Sequence, residues 1–470
     1  MAVITRREFI RNLSCAAVGL AGASVAWPEI GARAEDKMTR PNFVFVLADD
    51  WGWGDLGCFG NDLLKTPNLD KLASQGTIFT QFYVNGSVCS PTRAGIMTGR
   101  FPARHRIFGH FADHDTNAKR GMPNWLDPNV TTLTDLLKQA GYVTGHFGKW
   151  HLGAGKGAPE PKEYGVDDYR VFGGNGPGWN DPNFPARSSE LIVDESIRFI
   201  QANRDKPFFV NVWLKDTHAF LDPTEEQMAA YPNLKGAYRI YCSAATNADK
   251  QLGGLFAKLD ELGLSQNTVV IFTGDNGPED IRIPNASHSG VGSAGPFRGR
   301  KRSLYEGGIR TPFIIRWPGV TPAGKVDNST VLSGVDMLPT ICTLAGIGVP
   351  ADLRGDGEEL SAALKGSPKT RAKALFWEFR FYIYSHTVHR SPMIAVREGD
   401  WKLLTNPDRS RIELYNIPKD PTELTNRAEQ KPEIAKKLTD KALEWFKTLP
   451  EAPIEPQAGK NDYPWPKATP

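Results

Sequence analysis

Short apolar segments alternate with amphipathic segments of helical length from Pro41 onward. The apolar segments with the length and composition of strands are Phe43–Leu47, Tyr142–Phe147, Phe208–Trp213, Val269–Phe272 and Phe313–Arg316. Between them, Thr132–Ala140 and a stretch beginning at Asp249 repeat large apolar residues at helical spacing. Strands that alternate with helices typically form a parallel sheet covered by helices. The pattern therefore predicts an α/β fold.

The alternation changes after about residue 365. Short extended pieces at Met393–Val396, Trp401–Leu404 and Leu414–Tyr415 precede a final helix at Ile434–Leu449. They predict a smaller α+β domain of short antiparallel strands and a helix. We therefore expect an α/β domain at 38–365 and the smaller α+β domain at 366–450. The remaining residues, 451–470, form a Pro-rich tail that we expect to drape over the surface or to be disordered.

The first 34 residues are predicted to be an export signal of the twin-arginine type. Arg6 and Arg7 precede a mildly apolar stretch, and an Ala-Arg-Ala peptidase site ends at Ala34. The alternatives are a disordered basic leader and a lipoprotein signal at Cys15, which is disfavoured because Asn12 stands where a lipobox requires leucine. The sequence thus predicts a periplasmic or secreted protein.

Composition excludes several classes of protein. Hydrophobic residues make up 40% of the chain and charged residues 23%, which is typical of a globular protein that is not embedded in a membrane. A net charge of +3 is too small to indicate nucleic acid, but it leaves an anionic small substrate or glycan open. The cysteines are too widely spaced for a disulfide framework or a zinc site: Cys15, Cys58, Cys89, Cys242 and Cys342.

Polar residues follow four of the predicted strands where each strand ends: Asp49-Asp50, Lys149-Trp150-His151, Thr217-His218 and Asp275-Asn276. Open α/β sheets bind ligands beyond the carboxyl ends of their strands, so we expect these residues to converge. A carboxylate pair at a strand end is by itself more often solvated or a cap. Together, the two acidic pairs supply the oxygen ligands that a hard cation such as Ca²⁺ or Mg²⁺ prefers.

The segment Cys89–Arg100 reads CSPTRAGIMTGR. It closely resembles the defining motif of the type I sulfatases of the alkaline phosphatase-like superfamily, in which the cysteine of Cys-x-Pro-x-Arg is converted to formylglycine. Pro91 suits the first turn of a helix and would place Cys89 just before an anion-attracting N-terminus. The alternative for Cys89 is a buried structural cysteine. Further likeness, at 148–153, 216–218, 298–310, 335–340 and 399–403, extends the resemblance from about Pro41 to Lys447.

The resemblance implies a large mixed, mostly parallel sheet flanked by helices, and a metal site. It assigns to a divalent metal, most commonly calcium with magnesium as the alternative, the side chains of Asp49, Asp50, Asp275 and Asn276 and the oxygen of formylglycine 89. It assigns the catalytic roles as follows: Arg93 stabilises the formylglycine, His151 hydrogen-bonds its hydroxyl, Lys149 and Lys301 contact sulfate oxygens, and His218 protonates the leaving oxygen. Around His218, Thr217-His218-Ala219-Phe220 departs from the Pro-His-x-Pro of many relatives.

The expected reaction is hydrolysis of a sulfate ester to an alcohol and inorganic sulfate, through a sulfo-enzyme intermediate on formylglycine 89. Export, together with a stretch at Gly173–Asn180 that is suited to shaping a sugar-sized cleft, favours a sulfated carbohydrate over an aryl sulfate. The alternatives are a phosphonate or phosphate ester hydrolase of the same superfamily and a non-catalytic sulfated-glycan-binding protein. Besides its substrate, the expected partner is a formylglycine-generating maturation enzyme.

Overall fold

The larger sheet of the molecule has strand order β4-β3-β5-β1-β6-β7-β2-β8, with β9 also paired to β2. The computed structural model describes residues 40–280, 288–353 and 355–461. The strands are β1 Asn42–Ala48, β2 Thr77–Tyr83, β3 Val143–Lys149, β4 Asp168–Phe172, β5 Phe208–Trp213, β6 Thr268–Gly274, β7 Arg310–Arg316, β8 Lys325–Asp327 and β9 Leu332–Ser333. Strand β7 runs antiparallel to both neighbours, whereas the other pairs are parallel. This confirms the predicted mixed, mostly parallel sheet.

The central strand β1 is buried along its whole length. Successive side chains of a strand point to opposite faces of its sheet, and here they enter two separate apolar cores. Phe43, Phe45 and Leu47 belong to one core, while Val44 and Val46 belong to the other. Helices therefore cover both faces of the sheet, and the central strands are continuously apolar for that reason.

The helices of the described residues are Pro67–Ser74, Cys89–Thr98, His114–Lys119, Leu133–Gln139, Phe184–Ala202, Glu225–Met228, Gly236–Glu261, Glu306–Ile309, Met337–Leu344, Ser361–Leu364 and Pro432–Lys447. Thr132 begins one of them with a capping box, in which its side chain and that of Asp135 bond each other's backbone N–H. Within the described residues, every helix is too short or too polar to span a lipid bilayer.

A smaller sheet follows the larger one in the chain. Its antiparallel strands are β10 Leu375–Glu378, β11 Ile394–Glu398, β12 Trp401–Thr405 and β13 Glu413–Asn416, and the helix Pro432–Lys447 packs against it. The predicted α+β arrangement is confirmed. The two sheets share one apolar core, and the Trp377 Nε1–H donates to the Val84 carbonyl at 2.7 Å. Because residues from Arg40 onward cluster as one compact unit, the domain boundary near residue 365 stays a prediction.

Some elements differ from the sequence prediction for physical reasons. Strand β2 was not predicted, because a shift of register between Phe79 and Phe82 interrupts its alternation. Strand β4 was missed because it lies at the sheet edge and is mostly half-buried. The helix expected from Asp249 begins at Gly236, where small buried residues conceal the helical pattern. The predicted export signal lies outside the described residues.

Candidate active site

The carboxyl ends of the parallel strands open onto a cleft of about 490 Å³. Its lining includes residues from loops that are far apart in the sequence: Asp49, Cys89, His110, Lys149, His151, Phe172, Gly173, Lys215, His218, Ala219, Glu279, Lys301 and Arg302. The polar residues that follow strands β1, β3 and β5 thus lie together, as the strand order requires.

Four oxygen-bearing side chains lie buried at one end of this cleft. The Asp50 backbone N–H donates to Asp275 Oδ1 at 3.2 Å, and Asn276 Nδ2 donates to Asp50 Oδ1 at 2.7 Å. One ligand atom from each of Asp49, Cys89 and Asp275 lies within 4.8 Å of the other two. The loop after β1 and the loop after β6 therefore assemble one group of potential metal ligands.

Two oxygens of this group fit a cation particularly well. Asp49 Oδ1 and Asn276 Oδ1 are buried, and neither accepts a hydrogen bond from a described residue. Buried acceptors normally have a donor, but the nearest positive group to Asp49 Oδ1 that forms an ion pair is Arg93 Nη2, 4.0 Å away, and Asn276 Oδ1 accepts no hydrogen bond from a described residue. Because oxygen ligands of high negative charge suit Ca²⁺ and Mg²⁺, the residues present fit a hard divalent cation.

Basic side chains offset part of the buried negative charge. The close ion pairs of the site are Lys149 Nζ to Asp49 Oδ2 at 2.5 Å, Lys301 Nζ to Asp50 Oδ1 at 2.6 Å, and Arg93 Nη2 to Asp275 Oδ2 at 2.6 Å. Arg93 is fully buried and also donates from Nη1 to the Lys149 carbonyl at 2.8 Å. The guanidinium therefore joins the loop after β3 to the carboxylate after β6.

The two central carboxyl groups respond differently to this environment. Burial alone would raise the pKa of Asp49, but the charges of Lys149, His218 and Arg93 outweigh burial and hold that pKa well below its usual range. Burial and the neighbouring Asp49 charge raise the pKa of Asp275 well above its usual value. Two adjacent carboxylates thus compete for a limited positive charge, which is the situation that a bound cation relieves.

Cys89 is the first residue of its helix, so the helix begins at this residue and not after it. Its Sγ lies 3.1 Å from His151 Nδ1, and His151 Nε2 lies 3.2 Å from the Phe111 carbonyl oxygen. A carbonyl only accepts, so Nε2 carries the proton and the Nδ1 lone pair faces residue 89. Burial and the charge of Lys149 lower the pKa of His151 well below its usual value. The imidazole is therefore neutral at neutral pH.

His218 lies on the loop after β5 and also faces the cleft. Its Nδ1 lies 2.8 Å from the Ala219 carbonyl oxygen, which assigns the proton to Nδ1 and leaves Nε2 available. Burial and the Lys149 charge lower the pKa of His218 to about 4. The departure from Pro-His-x-Pro at Thr217 and Phe220 leaves the imidazole inside the cleft.

Several residues that line the cleft were not singled out from the sequence. Glu279 Oε1 lies 2.5 Å from Arg302 Nη1, and its Oε2 lies 3.2 Å from Lys301 Nζ. His110 and Lys215 line the same cleft. Proximity in the sequence to predicted site residues could have indicated two of them, since Glu279 follows Asp275 by four positions and Arg302 directly follows Lys301.

The stretch Gly173–Asn180 was expected to shape the cleft. Gly173 is part of the lining, whereas Trp179 stacks on Phe184 with ring centroids 5.3 Å apart. An apolar contact with a helix thus holds the far end of this stretch.

Comparison with known proteins accounts for this arrangement. The Sulfatase family profile matches residues 41–347, and the profile described as N-sulphoglucosamine sulphohydrolase, C-terminal, matches residues 295–447. N-acetylgalactosamine-6-sulfatase of Canis lupus familiaris is 33% identical over 404 residues, which cover 79% of this chain and 72% of that protein. The chain belongs to the sulfatase family. Arylsulfatase A of Homo sapiens is also 33% identical to this sulfatase, over 77% of this chain and 74% of its own.

Solved structures agree with this assignment. The structure of Ps i-CgsB in complex with k-i-k-neocarrahexaose has a TM-score of 0.74 at 26% identity and covers 87% of this chain and 93% of its own. PsFucS1 sulfatase from Pseudoalteromonas sp. has a TM-score of 0.72 at 26% identity, over 88% and 92% of the two chains. This sulfatase is therefore a sulfuric ester hydrolase, and its family generally depends on a metal and a formylglycine.

Proposed function

We propose that this sulfatase removes a sulfate group from a sulfated carbohydrate, with residue 89 as a formylglycine nucleophile. The observation that carries the proposal is the cleft, where residue 89 begins a helix and lies 3.1 Å from a neutral imidazole and beside basic side chains. The relatives support the carbohydrate. One is named for N-acetylgalactosamine 6-sulfate chemistry, and another was solved with a neocarrahexaose.

The side chains of the cleft divide the chemical work. Lys149 and Lys301 would bind sulfuryl oxygens and neutralise their charge. His151 would accept the proton of the attacking hydroxyl of residue 89 at Nδ1, since Nε2 already donates to a carbonyl. Arg93, held by Asp275, would stabilise the oxygen of residue 89. His218 would carry a proton on Nε2 to the leaving oxygen, because the negative ester favours the charged imidazolium.

The proposed metal site consists of Asp49, Asp50, Asp275 and Asn276 together with residue 89. A divalent cation there supplies positive charge that polarises the sulfuryl group. We propose calcium, since the ligands offer a high negative charge through oxygen atoms alone. Elemental analysis of the purified enzyme tests this identity, and zinc in its place would contradict it.

An exposed aromatic ring beside the cleft also suits a sugar. Phe220 is 69% exposed and directly follows Ala219, which lines the cleft. Single exposed apolar side chains are common on protein surfaces, so it is the position of this ring beside the cleft lining that makes it available to a substrate. We expect the Phe220 ring to pack against the apolar face of a sugar ring.

Maturation and export belong to the same proposal. Cys89 is 2% exposed, so a formylglycine-generating enzyme would have to reach it before the cleft is fully folded. The twin-arginine motif predicts export to the periplasm or beyond. Replacing Arg6 and Arg7 with lysine should retain the protein inside the cell, and unchanged export of that double variant would remove the assignment.

The experiment that tests the function compares three classes of substrate. We expect hydrolysis of a nitrophenyl sulfate, weaker or no hydrolysis of the matching nitrophenyl phosphate, and the highest kcat/KM on a member of a panel of sulfated saccharides. A preference for the phosphate would favour the phosphate ester hydrolase, and failure on every saccharide would overturn the carbohydrate assignment.

A further inference from the structure

Lys215 differs from the other lysine and arginine side chains that line the cleft. Each of the other three has a carboxylate partner: Lys149 with Asp49 at 2.5 Å, Lys301 with Asp50 at 2.6 Å, and Arg302 with Glu279 at 2.5 Å. For Lys215, no carboxylate of a described residue lies within ion-pair distance. Among the described residues, Lys215 is therefore the cation of the cleft lining that forms no direct ion pair.

The ammonium group of Lys215 is instead held by backbone oxygens. Its Nζ donates to the Phe220 carbonyl at 2.8 Å and to the His218 carbonyl at 3.2 Å. The neighbouring Asp216 carboxylate is occupied by the hydroxyls of Ser188 and Ser189. An ammonium has three donors, and these two bonds orient the group while leaving a donor for a ligand.

Lys215 lines the cleft beside His218. Its carbonyl accepts from the His218 backbone N–H at 2.8 Å, so both residues belong to one turn after β5. His218 is the proposed proton donor to the leaving oxygen. With His218 in that role, a cation on the same turn would face the sugar that carries the leaving oxygen and not the cleaved sulfate.

Building on the carbohydrate substrate proposed above, we propose that Lys215 binds a second anionic group of the substrate. That group is a carboxylate or a further sulfate on the cleaved sugar or on its neighbour. An unpaired, half-buried ammonium is costly unless a ligand supplies the counter-charge, and charge-assisted bonds to carboxylate or sulfate are among the stronger polar contacts. The substrate class is thus a saccharide with at least two anionic groups.

The competing explanation is that Lys215 only clamps the loop that carries His218. The two roles predict different effects on different substrates. Loss of a clamp misplaces His218 and slows every sugar sulfate equally, whereas loss of an anion contact affects only substrates that carry the second anion.

The test uses three saccharides with the same cleavable sulfate: one monosulfated, one with a second sulfate, and one linked to a uronate. The variants are Lys215→Met, which removes the charge, and Lys215→Arg, which keeps it. Lys206→Met serves as the matched control, because Lys206 is exposed and lies before β5. The measured quantity is kcat/KM for each dianionic saccharide divided by kcat/KM for the monosulfated one.

We expect the wild-type enzyme and Lys206→Met to prefer one of the dianionic saccharides by about tenfold or more. Lys215→Met should bring that ratio close to one with little change on the monosulfated sugar, and Lys215→Arg should retain most of it. The preferred saccharide identifies the second anion as sulfate or carboxylate. An unchanged ratio in Lys215→Met, an equal loss on all three saccharides, or a wild-type enzyme without preference would overturn the inference and leave the carbohydrate assignment standing. If the enzyme cleaved a nitrophenyl sulfate and no saccharide, the proposed function itself would fail.

Discussion

Two buried clusters of charge in this sulfatase resemble each other and differ in one respect. In the first, the carboxylates of the cleft face lysine and arginine side chains. In the second, between the two sheets, Lys402 Nζ lies 3.0 Å from Glu306 Oε1 and 2.9 Å from Glu423 Oε1, with all three side chains fully buried. We call these three residues the inter-sheet cluster.

The difference lies in access from the cleft. The inter-sheet cluster contributes nothing to the lining of the cleft, and its lysine lies between its two carboxyl groups. The cleft has a volume of about 490 Å³, and its lining includes Asp49, Lys149 and Lys301. Buried charge alone therefore does not identify a catalytic site, because stability and catalysis both use it. Access to the charged groups from a cleft is the more informative feature.

The largest expected effect is on activity at the cleft. Asp49→Asn should lower kcat/KM by about 10³-fold or more, because it removes a charged oxygen from the proposed metal site. It should also lower the metal content found by elemental analysis. Asp62→Asn, an exposed position on the same loop, is the control. Full activity in Asp49→Asn would remove this residue from the site.

The inter-sheet cluster should show the opposite behaviour. Lys402→Met removes the ion pair of Glu423 and one ion pair of Glu306, which keeps Arg310 at 3.2 Å. Loss of one partner of a buried pair typically costs about 3–5 kcal/mol in the free energy of unfolding. The activity per folded molecule should stay within about twofold. Denaturant unfolding and activity assays of the same preparation check both expectations, with the exposed Lys419→Met as control. A stable, inactive Lys402→Met would contradict the contrast between the clusters.

The sequence predicted the buried strands of the large sheet better than the charged residues of the loops. The buried runs of β1, β5 and β6 are unambiguous because both sheet faces are covered, and a parallel sheet brings the residues after these strands together. Lys215 and Glu279 were not predicted as parts of the cleft, because an isolated charge in a loop carries no periodicity. The partners of Glu279, Lys301 and Arg302, are also more than 20 positions away. The roles of the matched residues rest on resemblance and stay predictions.

His218→Ala should slow the enzyme to a degree that depends on the leaving group. A general acid contributes about 10²–10⁴-fold when the departing oxygen is strongly basic, and little when it is not. We expect a loss of at least about 10²-fold on a sugar sulfate and a small loss on a nitrophenyl sulfate. His114→Ala, half-buried and outside the cleft lining, should behave as wild type. Equal losses on both substrates would indicate a binding role for His218 or make His151 the acid.

The inter-sheet cluster also predicts a modest pH dependence of stability. Burial, with a contribution from the Glu306 charge, raises the pKa of Glu423 to about 7 against the opposing effect of Lys402. The folded chain therefore keeps this proton while the unfolded chain loses it above about pH 4.5. Stability from this group should be complete below that pH and decline as the pH rises towards 7.

Glu423→Gln isolates this effect, because the amide cannot ionise. We expect its free energy of unfolding to vary less than that of wild type between pH 5 and pH 7, as measured by denaturant titration at closely spaced pH values. If the free energy of unfolding of the two proteins varied with pH in the same way, a group other than Glu423 would be responsible for the pH dependence.

The central claim is that residue 89 carries the reaction as formylglycine. Mass spectrometry of the peptide that contains residue 89, taken from preparations of known specific activity, tests it most directly. The account predicts that activity rises in proportion to the fraction of aldehyde at this position, and that Cys89→Ala is folded and inactive. A fully active preparation in which residue 89 is entirely unmodified cysteine would contradict the account.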